Sequence, residues 1–120
     1  NYFFQKSNLD DPINKVKIPV STIDLFVKDK QIAYIDVLKI DTEGFEMEVL
    51  KGANECLIKE QIGMIFMEVN FANSHIGAAS FVDLYQFPLQ YGFELITIYP
   101  IVHRKNKAVY TNILFKHKNY

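Results

Sequence analysis

The sequence predicts an α/β domain on a mixed sheet, and three observations lead to it. Near-continuous apolar runs of strand length alternate with short segments whose apolar residues fall at helical spacing. Two of the helical segments open on a capping-box spacing, Ser21-Thr22-Ile23-Asp24 and Ser80-Phe81-Val82-Asp83. Strands separated by single helices call for parallel crossovers, whereas the last two apolar runs are joined by a connection too short for one and must pair antiparallel. With 120 residues, 49% hydrophobic and 22% charged, the chain is a single domain or a fragment of one, with enough apolar material for one core.

Asp, Asn and Pro in Asn8-Leu9-Asp10-Asp11-Pro12 favour turns, so residues 1–15 form an irregular lead-in. Residues 16–20 are extended, and the first capping box opens a short helix toward Lys28. Ile35, Val37, Leu38 and Ile40 make residues 34–40 a strand covered on both faces, stopping at an acidic turn where Gly44 lets the backbone bend sharply. Phe45, Val49 and Leu50, then Ala53, Leu57 and Ile58, give two short helices or one bent at Gly52, with Glu55 and Lys59 as a supporting i,i+4 pair. Residues 63–69, centred on Met64-Ile65-Phe66-Met67, form a second buried strand, and residues 70–79 a polar loop. The next helix carries Phe81, Leu84, Tyr85 and Leu89 on one face and ends at Gly92, with Pro88 bending or shortening it. Residues 93–99 are a third strand, 100–108 a loop rich in His103, Arg104, Lys105 and Lys107, and 109–116 a fourth strand.

Thirteen basic against fourteen acidic residues leave a net charge of −1, so no global field draws in nucleic acid or an anionic membrane, and neither is expected as a partner. The lone Cys56 has no disulfide or zinc partner and suits a reducing, cytoplasmic setting. No apolar stretch approaches the ~20 residues of a membrane span, and the start has neither an initiator Met nor a signal-peptide pattern, which points to a fragment. No Ser-His-Asp arrangement, phosphate-binding loop or zinc spacing is present, and no metal site is expected.

Charge is unevenly spread: residues 1–60 hold 8 basic and 11 acidic side chains, residues 61–120 hold 5 and 3. The acids gather at Asp41, Glu43, Glu46 and Glu48. Asp41 follows a buried strand, the place where open α/β sheets put ligand-binding groups. The competing role is local: Asp41 or Thr42 caps the next helix, and Glu43 and Glu46 complement its dipole. Lys39 is expected to pair with Asp36 or Glu68.

The segment Asp36-Val37-Leu38-Lys39-Ile40-Asp41-Thr42-Glu43-Gly44-Phe45-Glu46, continuing Glu48-Val49-Leu50-Lys51-Gly52-Ala53, resembles the signature of the FkbM-type methyltransferase family. Val16-Lys17-Ile18-Pro19-Val20-Ser21-Thr22-Ile23-Asp24 resembles the family's preceding segment, and Met64-Ile65-Phe66-Met67-Glu68-Val69 its following strand. The resemblance implies a class I, Rossmann-like methyltransferase sheet with an antiparallel last strand, S-adenosyl-L-methionine as cofactor, and a hydroxyl acceptor on a sugar, glycan or other small molecule. The five glycines are scattered and form no G-x-G turn. The chain therefore corresponds to the substrate-side, C-terminal part of such a sheet, without the strands that hold the cofactor. The isolated fragment is accordingly expected to be inactive and to bind S-adenosyl-L-methionine weakly, with an open sheet edge that promotes oligomers.

Carried onto this sequence, the resemblance makes Asp41 the group that receives the acceptor's proton, with Glu43 as the competing base, unless the two hold a hard cation. Glu68, Asn70 and His75 face the same crevice as candidate acceptor-binding residues. The alternative is a non-catalytic α/β binding or interaction module that kept the sheet and lost the cofactor.

Overall fold

The computed structural model describes residues 17–71 and 78–120. The expected lead-in and the candidate His75 lie outside them. The elements run α1 (Ile23–Asp29), β1 (Ile35–Ile40), α2 (Glu46–Lys51), α3 (Asn54–Ile58), β2 (Ile62–Asn70), α4 (Phe81–Leu89), β3 (Phe93–Ile98), β4 (Val102–Arg104) and β5 (Lys107–His117). The sheet has the order β1-β2-β5-β3, with β4 also paired to β5. β1 and β2 are parallel, and β5 runs antiparallel to β2, β3 and β4. The mixed α/β sheet with a reversed last strand is thus as the sequence predicts.

Side chains alternate across the sheet. Leu38 and Ile40 of β1, Ile65, Met67 and Val69 of β2, and Ile113 and Phe115 of β5 face one side and are buried. They pack in one cluster with Val27, Leu50, Leu57 and Leu84 from the helices. Val37, Lys39, Met64, Phe66, Glu68 and Leu114 alternate with them on the other side, which stays partly open: Val37 is 49% exposed. Two-sided burial of β1 is therefore corrected. The apolar run does not mean two covered faces here, because the described helices pack on one side of the strand. Among the described residues β1 pairs with β2 alone, which leaves its other edge open.

Residues 17–20 are exposed and join no strand, in keeping with Pro19, which has no N–H to offer a ladder. One further local expectation changes, the cap of the first helix. The first helix is capped by Thr22 and not Ser21, with Thr22 Oγ1 accepting from the Leu25 N–H at 3.2 Å. Asp24 is thereby released to another helix: its two carboxylate oxygens accept from the N–H groups of Glu55 (2.9 Å) and Cys56 (3.0 Å), satisfying the start of α3. The second capping box forms as expected between Ser80 and Asp83, and Glu55 pairs with Lys59 at 3.1 Å. Pro88 is accommodated in the last turn of α4, buried, while Leu89 points outward.

The expected loop 100–108 contains strand β4. Its turn, Lys105-Asn106, has positive φ at both residues (48° and 60°), the backbone of a tight two-residue hairpin. No described helix is long and apolar enough to cross a membrane.

Candidate functional site

The acidic turn between β1 and α2 is shaped by two consecutive residues in left-handed conformations, Glu43 (φ 55°) and Gly44 (φ 108°). They bring backbone N–H groups round toward one buried carboxylate. Glu46, 4% exposed, accepts from the Thr42 N–H at 3.2 Å, the Thr42 hydroxyl at 3.1 Å and the Gly44 N–H at 3.1 Å. The expected capping of α2 by Asp41 or Thr42 does not occur. The N-cap is Phe45, without a side-chain cap bond, and the turn is held from inside the helix instead.

Asp41 is thereby left free of structural duty in the turn. Its Oδ2 accepts from Lys39 Nζ at 3.1 Å, while Oδ1 has no hydrogen-bond partner among the described residues. Residues 39 and 41 lie two apart on an extended segment and so share a face, from which Asp36 points away; Glu68 shares that face across the strand pair, yet Lys39 Nζ bonds to Asp41. Both side chains are well exposed (63% and 43%), so the pair orients the carboxylate more than it stabilises the fold.

The strand register carries the site across the sheet. Ile40 lies opposite Met67 in the parallel β1–β2 pair, so Asp41 comes beside Glu68, and Glu68 lies opposite Asn112 of β5. Asn70 lies opposite Tyr110 one pleat further on. Asp41, Glu68 and Asn70 thus meet at the carboxyl-terminal crest of β1 and β2. Glu43 sits on the same turn, exposed. Asn112 and Tyr110 were not singled out from the sequence, although the alternation of Tyr110, Asn112 and Leu114 with the buried Thr111, Ile113 and Phe115 marks their face.

Glu68 is pushed above the usual carboxylate range, first by burial and then by the negative charge of Asp41, with Glu43 and Glu46 adding to it and a hydrogen bond from Asn70 opposing it. A carboxyl whose folded-state pKa is raised stabilises the fold most below its unfolded pKa of about 4.3, and that contribution is lost as pH rises through the folded value. We expect a carbon-detected NMR titration of the Glu68 side chain to show a midpoint above 4.3 that falls back in Asp41→Asn. A midpoint indifferent to that substitution would show that the two carboxylates do not sense each other.

Beside the turn lies an open, largely apolar groove of about 780 Å³ lined by Ile18, Val20, Phe26, Phe45 and Val49, and neither Asp41 nor Glu68 borders it. The described residues contain no group of three or more His, Cys, Asp or Glu set to hold a metal ion. The Cys56 thiol, buried and hydrogen-bonded to Asp24, is pushed up to about 11 by burial first and Asp24 second, so it is no nucleophile at neutral pH.

Comparison with known proteins finds no match among curated proteins or solved structures. The model of the FkbM methyltransferase domain matches residues 1–95. That segment takes in β1, the Asp41 turn, β2 and α4, and the family implies a methyl donor. Since the match spans well over half of the sequence, the chain belongs to the FkbM methyltransferase domain family.

Proposed function

We propose that this domain serves the transfer of a methyl group from S-adenosyl-L-methionine to a hydroxyl oxygen of a sugar or other small molecule, with Asp41 as the proton acceptor. The observation that carries the reading is Asp41 Oδ1, left without a hydrogen-bond partner among the described residues at the crest of β1 while Lys39 holds Oδ2. The sheet supports a class I assignment: among the described strands β5, which follows the others, is the one reversed against β1, β2 and β3.

The described residues fit the acceptor side of this reaction and do not fit the donor's cradle. Glycines at 44, 52, 63, 77 and 92 form no glycine-rich turn, so no step is assigned to contacts with the donor. What the chain itself does concerns the acceptor. A hydroxyl seated at the crest would donate its hydrogen bond to Asp41 Oδ1, the atom that would hold its proton; the donor, when bound, would supply the methyl group, with its sulfur–methyl bond breaking as the oxygen–methyl bond is made. Glu68 and Asn70 orient the acceptor from the neighbouring strand, and Glu43 stands as the second base. His75, outside the described residues, is a further candidate acceptor contact. Alignment of the hydroxyl accounts for most of the acceleration, since fixed orientation alone is worth about 7–11 kcal/mol in well-aligned systems.

The test is isothermal titration of the full protein with S-adenosyl-L-methionine. We expect saturable binding, and methylation of a hydroxylated acceptor in the same preparation. A folded full-length protein that takes up no S-adenosyl-L-methionine would leave the non-catalytic module as the correct reading.

A further inference from the structure

β5 pairs with β2 through Asn70↔Tyr110 and then runs on, so Lys107 and its turn project past the end of β2. Because β5 is antiparallel to β2, this overhang lies on the edge that carries Asp41, Glu68 and Asn70. Its tip is cationic: His103, Arg104, Lys105 and Lys107 are all exposed. Among the described residues Lys30, Lys39, Lys51 and Lys59 each have a carboxylate within 3.2 Å; Arg104, Lys105 and Lys107, like Lys28, Lys116 and Lys118, have none, and the first three fall together in one turn.

Two features keep charge at this tip against local preference. Arg104 and Lys107 are directly opposite in the hairpin register, and like charges so placed repel. Lys105 takes the left-handed φ of 48° that glycine or asparagine adopts at lower cost. A hairpin selected for stability alone would carry Asn-Gly at the turn and opposite charges beside it. Residues 96–120 also lie outside the segment that the family model matches, so the hairpin is a feature of this chain beyond the matched signature.

We propose that the β4–β5 hairpin is a subsite for a phosphoryl group carried by the methyl acceptor, which rests on the functional reading above. Arg104 offers a planar fork of N–H donors and Lys105 and Lys107 point charges, the combination that recognises phosphate. Strand spacing puts the tip about 20 Å from Asp41, two strands across and five residues along, so the acceptor is elongated, with its phosphoryl group remote from the hydroxyl that is methylated. The location at the same end of the sheet as Asp41, together with a net charge of −1 that gives no general attraction to anionic surfaces, favours such a ligand over a membrane.

Inorganic pyrophosphate is the probe, titrated into the nitrogen-15-labelled full protein without methyl donor. Saturable shifts are expected in the amides of residues 102–108, with the dissociation constant raised at least tenfold in Arg104→Gln/Lys107→Gln. Both positions are exposed and the double change removes a repulsion, so the variant should melt no lower than the parent. Shifts shared equally with Lys28, Lys30 and Lys118, or an unchanged constant in the variant, would overturn the proposal. So would a hairpin that ignores pyrophosphate and responds only to vesicles of one part phosphatidylglycerol in three of phosphatidylcholine. Asp41→Asn leaves the pyrophosphate titration unchanged whatever it does to methyl transfer, so the subsite and the catalytic reading fail separately.

Discussion

Asp41→Asn in the full protein should lower turnover by about 10²–10⁴, the span of general acid–base contributions, while folding stays nearly intact. The substitution keeps size and hydrogen-bonding shape but removes the charge that the proposed mechanism needs to take the acceptor's proton. Stability is expected to change by no more than a few tenths of a kcal/mol, because the only ion pair lost is the exposed contact with Lys39. Since Glu46 and not Asp41 ties the turn together, loss of activity here cannot be traced to a lost helix cap. Initial-rate measurements beside urea melts of both proteins provide the check. Undiminished methyl transfer would take Asp41 out of the mechanism and make Glu43 the next carboxylate to replace.

Glu46→Ala should produce the largest loss of stability, about 2–4 kcal/mol, since a nearly buried carboxylate with several N–H and O–H donors is removed and hydrogen bonds to charged groups are worth about 1.5–3 kcal/mol each. Water replaces part of the loss because Thr42 and Gly44 are only half-buried. Glu46→Gln should fall between the two: one amide oxygen still accepts, but its NH₂ group then meets another donor. Activity should fall in both, as the turn that presents Asp41 loosens. Urea denaturation decides the matter, and an alanine variant within about 0.5 kcal/mol of the parent would show that the left-handed pair at Glu43 and Gly44 holds the turn unaided.

The parts legible in the sequence are those set by near neighbours. Apolar runs placed β1, β2, β3 and β5 within a few residues, Ser80 and Asp83 gave the box of α4, and the end of the first run placed the acidic turn after β1. Where partners are distant the reading failed. Asp24 satisfied a local capping spacing on paper, yet its carboxylate serves backbone groups 31 and 32 residues away. β4 escaped because its three residues are all exposed and carry no alternation, and because Lys105-Asn106 lacks the glycine that flags a tight hairpin. Val37 misled for the opposite reason: a β-branched apolar residue in a run of others suggests two covered faces, and burial depends on what packs there.

The place of β5 in the sheet bears on how the chain acquires its structure in time. β3 pairs with β5 alone among the described strands, and one edge of β2 is closed there only by β5, which the ribosome delivers after the other four. Until then, among the described strands, β1 and β2 pair only with each other, and a two-stranded ribbon by itself is marginal in water. The pairing that completes the sheet joins Met64–Asn70 to Tyr110–Lys116, a long-range closure of the kind that slows folding and leaves edges open to wrong partners meanwhile. The family match ends at residue 95, inside β3, so a chain stopped there would keep the signature and the Asp41 turn but have no strand to lock them in place.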